Sequence, residues 1–570
     1  MAIRSFAQPR RAPKKRQTRR HQRDWENMTR DQRVDFVREA PEKEFNFGKF
    51  MNLGGVTDKT SLRTEQLTNA IRSFDELRIF PTVRYAMKEE IRHGYLMRNT
   101  YVKSKEELTL TPTSVQIAAI KRITQPRVKN VNSKDTDSSY SIGNNGEKIY
   151  NDFMKQNQMR KLNTYLLAAE TGSGKTWAYL ASLLTKLKER DLETYQISPE
   201  KYHQLKKAQI VRAMILVPTY ELVDQIYQTL QRANSIQYDI EQDIIKDQKY
   251  DTASKDFMRL PDNNTNLGLR IFKWDKNVPP NKFFDACNQR LDIVITTPGK
   301  ITSLSKLTNY ARPFRYFNGL EFCVFDEADT LLDGSFVEDT TSILKSLRQC
   351  RDLVLCTATV PKDVGKFIKQ TFPQNSLIRV YTKDVHKIPR KIEVKLIDCF
   401  EKPYNGSKMK ALAQCIYAIH NDGTEKGYTK RIIVFANAKL ELESIRNRLL
   451  DYDFREEDIV QLSSNDGIQD RLELIRPFLE PPTKIEDDLD KSQIKVILTT
   501  DIMARGLDFK GVKNVIIYDI PRNSSDLMHR IGRTGRMKQG GRVFILLDKS
   551  NRKSWMKGLP KVVKESIRMG

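Results

Sequence analysis

Residues 164–176 read TYLLAAETGSGKT. A short apolar run ends in a loop with two glycines. A lysine–threonine pair then opens a helical apolar pattern over 175–190. Strand, glycine loop and helix in that order form a phosphate-binding turn. Gly172 and Gly174 let backbone N–H groups face phosphate oxygens, and the helix start adds a positive dipole end. Lys175 is placed to reach the outer phosphates and the Thr176 hydroxyl to bind Mg²⁺. Ala169, Glu170, Thr171 and Ser173 complete the loop; Ala169 stands where a first glycine is usual.

Working outward, the same alternation repeats. Apolar strand candidates fall at 164–169, 212–219, 290–297, 320–326 and 351–358, with helical patterns between several of them, as at 175–190 and 221–232. A second set follows at 392–398, 431–436, 458–463, 493–500, 513–519 and 541–547, with helices at 407–420 and 439–452. Short, wholly apolar strands alternating with helices predict parallel sheets covered on both faces. The expected organisation is an α/β chain of two lobes, at 70–380 and 391–550. They are joined by the polar stretch 381–391, flanked by a basic arm (1–45) and followed by a basic extension (551–570). Segments 125–150, 252–287 and 480–492 read as loops or insertions.

The chain has 98 Lys and Arg against 72 Asp and Glu, a net charge of +26. Such an excess favours a polyanionic partner, because phosphates attract these side chains and release counterions on binding. Residues 1–23 hold nine basic side chains and no acid. The rest still carries 89 basic against 72 acidic residues. The arm suits a mitochondrial transit peptide; a nuclear signal (APKKR, pointing to nucleus or nucleolus) or an RNA-binding arm fits the same residues. No apolar run approaches the ~18 residues of a membrane span, and the chain reads as a soluble monomer. Six cysteines without a CxxC pair read as buried apolar residues rather than a zinc site.

At 322–329 the strand FCVFDEAD ends in acids. Alone, the acids describe a solvated turn. Beside a phosphate loop, Asp326 sits where such sites hold Mg²⁺, and Glu327 is placed to orient and deprotonate a water. At 529–536, HRIGRTGR packs three arginines and a histidine between glycines. Arg533 and Arg536 are candidates to stabilise charge on a γ-phosphate; a basic surface turn is the plainer reading.

Taken in order, these segments resemble the DEAD-box RNA helicases of superfamily 2. PTSVQ (112–116), AETGSGKT, PTYEL (218–222), TPGK (297–300), DEAD (326–329), TAT (357–359), IIVFAN (432–437), TTDIMARGLD (499–508) and HRIGRTGR carry the likeness. It implies two tandem RecA-like lobes, ATP and Mg²⁺ as cofactors, and RNA as partner. By that likeness Gln116 reads adenine and Asp508 holds the ribose. Pro218, Thr219, Thr297, Pro298, Gly299, Thr500 and Arg505 lie along the RNA. Asp329, Thr357, Thr359 and His529 couple the lobes, which stand open until ligands close them.

The segments NFGKF (46–50), 73–91, 406–414 and 533–548 are similar to a fungal mitochondrial branch of the family. That branch acts in assembly of the large mitochondrial ribosomal subunit, which implies the subunit's rRNA and precursors as partners and a matrix location. Departures are Tyr220 for the family's arginine, Thr109 for its aromatic residue (Phe74 being the upstream substitute), no clear GG segment, and Gln469 and Arg471 set too close for the QxxR pattern. An ATP-gated RNA clamp or scaffold with little unwinding activity is the alternative these departures favour. Lys175→Ala is expected to abolish ATP hydrolysis in the purified protein; unchanged turnover would remove Lys175 from the chemistry.

Overall fold

The computed structural model describes residues 44–45, 50, 70–96, 109–125, 140–142, 148–150, 162–245, 251–307, 313–347, 350–372, 377–382, 384–389, 391–462, 468–480, 482, 494–501, 506–521, 523–535, 540–548, 554–565 and 567–569. Among them are two parallel sheets. The first runs, edge to edge, Leu377–Tyr381, Asn163–Ala168, Asp352–Thr357, Phe322–Asp326, Val211–Leu216, Leu291–Thr296 and Ile271–Trp274. The second runs Ile392–Asp398, Gly541–Leu547, Val512–Ile517, Lys430–Phe435, Ile494–Thr499 and Ile459–Gln461.

Alternation along each strand sends neighbours to opposite faces. In the first lobe Leu167, Ala213 and Ile215 enter one core while Leu166, Met214 and Leu216 enter the other. The second lobe divides Ile433 and Phe435 from Ile432 and Val434 in the same way. Both faces are therefore apolar and covered, which is why these strands read as unbroken hydrophobic runs. All six cysteines are buried with no disulfide. No described helix is long and apolar enough to cross a membrane.

The stretch 252–287, expected to be irregular, holds helix Thr252–Met258, strand Ile271–Trp274 and helix Pro280–Ala286. The proline pair that suggested a loop is a helix start, with Pro280 in the first turn, where its missing N–H costs nothing. Trp274 stacks on Phe283 with centroids 4.3 Å apart, which locks the edge strand to that helix. A further edge strand, Leu377–Tyr381, pairs with Asn163–Ala168. Of the two other predicted loops, 126–139, 143–147, 481 and 483–492 lie outside the described residues, while Tyr140–Ile142 and Lys148–Tyr150, within the first, pair as antiparallel strands.

The basic extension is amphipathic rather than free. Helix Leu559–Glu565 packs against strand Ile392–Asp398 and buries Leu559, Val562 and Val563 in the second lobe. Strand Arg568–Met569 pairs in parallel with Glu44–Phe45, the last two residues assigned to the arm.

The expected open arrangement is not the one observed: the lobes meet face to face. Helix Ile468–Leu479 of the second lobe touches helix Tyr220–Ser235 of the first. Gly532 comes so close to the phosphate loop that an added Cβ would lie 2.2 Å from Thr171 Oγ1. Only a residue without a side chain permits that approach.

Candidate active site and lobe contact

Three of the predicted segments lie at the carboxyl ends of first-lobe strands, where open parallel sheets bind ligands. Strand Asn163–Ala168 leads into the glycine loop, and Phe322–Asp326 ends in the acids. Asp352–Thr357, which ends in TAT, lies between them.

Gly172 and Gly174 take φ of 74° and 90°, a left-handed backbone that turns the loop into helix Lys175–Ile197. Lys175 Nζ donates to the carbonyls of Ala169 and Glu170, each at 2.9 Å, so the cation is gathered into the loop's concavity. Ser173 Oγ donates to Glu170 O at 2.7 Å. Burial, then the negative charge of Asp384, pushes the Glu170 carboxyl up to about 7. Asp384 belongs to the interlobe joint, which therefore faces the phosphate loop.

Gln116 is buried and engaged within the protein. It forms a reciprocal cap with Thr113, accepting from Thr113 N at 2.9 Å, and its Nε2 donates to Gly174 O at 3.4 Å. The glutamine thus ties helix Ser114–Ile123 to the phosphate loop. Thr109 is exposed, and Phe74 packs in the first-lobe core.

Asp326 Oδ1 accepts from Glu327 N at 3.0 Å, and Oδ2 accepts from the Tyr179 hydroxyl at 2.9 Å. Burial first, then the neighbouring Glu327 charge, holds the Asp326 carboxyl above its ordinary range. A buried acid under that load suits a divalent cation, because a positive charge offsets what raises the carboxyl; the Tyr179 hydroxyl that it bonds also meets Thr176. Glu327 has a left-handed backbone, φ 52°, which is strained for a residue with a side chain. Its Oε2 is buried with no hydrogen-bond partner. Strain and an unspent acceptor on one residue mark a group held for a reacting molecule rather than for packing.

The lobes join at Asp329. Its Oδ2 accepts from Thr359 Oγ1, from Ser525 Oγ at 3.3 Å and lies 2.8 Å from His529 Nε2. The Thr359 and Ser525 oxygens also lie within hydrogen-bond distance of each other, so two hydroxyl protons are shared among three contacts. Thr357 Oγ1 donates to Thr359 O at 2.8 Å and shapes that turn. Glu327, Asp329 and His529 bring ligand atoms within 4.8 Å of one another, but the hydroxyl and imidazole bonds already account for the Asp329 oxygen. That triad serves as a lobe contact.

A second contact joins Arg471 to Glu221, Nε to Oε1 at 2.7 Å, with both side chains buried. Gln225 adds two more bonds, accepting from Asp508 N at 2.7 Å and donating to Gly506 O at 3.5 Å. Sequence reasoning missed Glu221, Gln225, Ser525 and Tyr179. Only Glu221 had a signal, as the acid inside PTYEL; Arg471 had been noted solely as a spacing fault. The spacing departs from the pattern, yet the arginine crosses the cleft.

Thr219 caps helix Tyr220–Ser235, accepting from Leu222 N at 3.4 Å, and Thr297 precedes Pro298 at the start of helix Pro298–Thr302. Pro218, Thr219, Thr297 and Pro298 are buried and Gly299 is exposed. Thr500 is half-buried at the end of strand Ile494–Thr499, and Asp508 is half-buried beside Gln225. Arg533 is buried, donating through Nε to His529 O at 3.0 Å and through one terminal nitrogen to Leu507 O at 2.8 Å. Arg505 and Arg536 lie outside the described residues. Arg530, the histidine's neighbour, is a brace within the second lobe, paired with Asp501 and Asn437.

Removing one partner of a buried charged pair across an interface costs about 2–5 kcal/mol. Arg471→Ala is therefore expected to weaken RNA-stimulated ATP turnover roughly thirtyfold or more, while ADP affinity stays unchanged. Measured turnover at the wild-type level would show that the Glu221 contact does not hold the lobes together.

The sequence profile of the DEAD/DEAH box helicases matches residues 147–367, and that of the helicase conserved C-terminal domain matches 407–538. The mitochondrial ATP-dependent RNA helicase MRH4 of Debaryomyces hansenii is 49% identical over 537 residues, spanning 93% of this chain and 90% of that protein. Its namesake in Saccharomyces cerevisiae is 36% identical over 565 residues, spanning 93% and 88%. Among solved structures, S. cerevisiae Dbp5 bound to RNA and ADP BeF3 has a TM-score of 0.53 at 19% identity, covering 87% of this chain and 94% of that one; at that identity the likeness speaks for the fold. This chain is a mitochondrial member of the DEAD/DEAH-box family of ATP-dependent RNA helicases.

Proposed function

We propose that the chain uses ATP hydrolysis to remodel or locally unwind RNA during assembly of the large mitochondrial ribosomal subunit. The observation that carries the catalytic reading is Glu327, whose strained backbone holds an unpartnered carboxylate oxygen beside the lobe contact. Lys175 exchanges its two carbonyl acceptors for the outer phosphate oxygens of ATP. Thr176 and Asp326 hold Mg²⁺, which supplies positive charge to the phosphates. Glu327 orients the attacking water and takes its proton. Arg533, set beside the Gly532–Thr171 approach, swings its guanidinium from the backbone carbonyls to the γ-phosphate, with Arg536 as its partner.

The RNA backbone lies along the starts of helices Tyr220–Ser235 and Pro298–Thr302, with Thr500 and Arg505 as its second-lobe contacts, while Asp508 holds the ribose of ATP. Helix starts and hydroxyls bind phosphate and sugar, which gives little sequence preference. Choice of RNA then falls to the basic segments outside the lobes. We place any transit-peptide cleavage before Glu44, because Glu44–Phe45 pairs with the C-terminal strand.

Glu327→Gln keeps the shape of the side chain and removes the base. It is expected to retain ATP and RNA binding, lose turnover, and stay on its RNA. Crosslinking that variant in mitochondria and sequencing the bound RNA is expected to enrich large-subunit rRNA. Loss of RNA binding by the purified variant would make Glu327 structural, and absence of rRNA enrichment would remove the ribosomal role. Strand displacement on a short duplex by the wild-type protein separates unwinding from clamping.

A further inference from the structure

The turn that carries Thr359 is held from outside the shared helicase segments. Val360, the next residue, donates its N–H to His386 Nε2 at 3.0 Å. His386 lies in the joint between the lobes, buried, with a left-handed backbone at φ 63°. Because Nε2 accepts, it carries no proton there, and the ring is a fixed acceptor aimed at the Thr359 turn.

Two distant segments hold His386, one at its ring and one at its backbone carbonyl. Phe50 stacks on it with centroids 4.2 Å apart and planes 20° from parallel. Met569 N donates to His386 O at 3.0 Å. Phe50 itself straddles the lobes: its side chain is buried in the second-lobe core, while its backbone bridges Pro361 of the first. On the other side of the joint, Val385 packs with Val360 and Ala168, at the entrance to the phosphate loop. One aromatic residue upstream of the first lobe thus touches the joint, the TAT turn and the second lobe together.

We propose that Phe50 and His386 are positioning residues for lobe closure: the stacked pair fixes the joint and presents Thr359 to Asp329 and Ser525. Phe50 then favours the closed, RNA-gripping arrangement. Without the stack, the joint and the TAT turn must be ordered at the moment of closure, and that entropy is charged against RNA and ATP bound together. ADP, held by the first-lobe loop, does not bear the cost. This inference rests on ATP-dependent RNA binding by closure of the two lobes.

The test uses the full chain, a short fluorescent single-stranded RNA with ADP·beryllium fluoride, and ADP binding measured separately. Phe50→Ala and His386→Ala are each expected to weaken nucleotide-dependent RNA affinity about three- to tenfold, the scale of one aromatic stack. ADP affinity should stay as in wild type. The double variant should be no weaker than the weaker single, because the pair acts as a unit. His386→Gln, whose amide oxygen replaces the acceptor, should recover part of the loss. Should Phe50→Ala fail to fold, the two His386 variants carry the test alone. Unchanged RNA affinity, an equal loss of ADP affinity, or additive losses in the double variant would each overturn the proposal. If wild type itself shows no nucleotide-dependent RNA binding, closure fails as the functional reading, and this inference falls with it.

Discussion

A buried carboxylate pays a large desolvation cost unless donors replace the lost water. Asp329 gets one side-chain donor from its own lobe, Thr359, and meets Ser525 and His529 of the other. Drawing the lobes apart returns Asp329 to water, and drawing them together exchanges that water for fixed donors. Such exchanges come out close to even in free energy. Closure is therefore poised, and modest differential binding by ATP and RNA suffices to tip it. The interaction supplies geometry more than stability.

The remaining parts gain meaning from that poise. Glu327 is two residues from Asp329, at the cap of the same short helix Ala328–Leu331, so the lobe contact and the unpartnered carboxylate oxygen share one element. Arg471–Glu221 and the Gln225 bonds close the same cleft over helix Tyr220–Ser235. The Gly532–Thr171 approach brings HRIGRTGR to the phosphate loop. ATP chemistry and RNA grip thus share one interface, and neither lobe alone holds the full set.

The central strands were legible because both faces of each sheet are buried, so Val211–Leu216 and Leu291–Thr296 are continuous apolar runs. The edge strands of the first sheet were not: Ile271–Trp274 is four residues long with a lysine, and its support comes from Phe283 by tertiary stacking. Likewise Asp326, Glu327 and Lys175 stood out through local spacing. Arg471, Ser525 and Phe50 act across the cleft on partners 250, 166 and 336 residues away, and no local pattern records such a pairing. Gln116 shows a further limit. The likeness of PTSVQ to a family segment pointed it at adenine, but the bonds that hold it to Thr113 and Gly174 were not legible in that segment.

The measurement that bears most directly on the shared carboxylate is a double-mutant cycle over Asp329→Ala and His529→Ala. It is read as affinity for single-stranded RNA in the presence of a non-hydrolysable ATP analogue. Contacting groups couple by about 0.5–3 kcal/mol, so the double variant should lose clearly less than the two single losses combined. Strict additivity, with ADP binding intact in all three variants, would contradict a closed state built on Asp329.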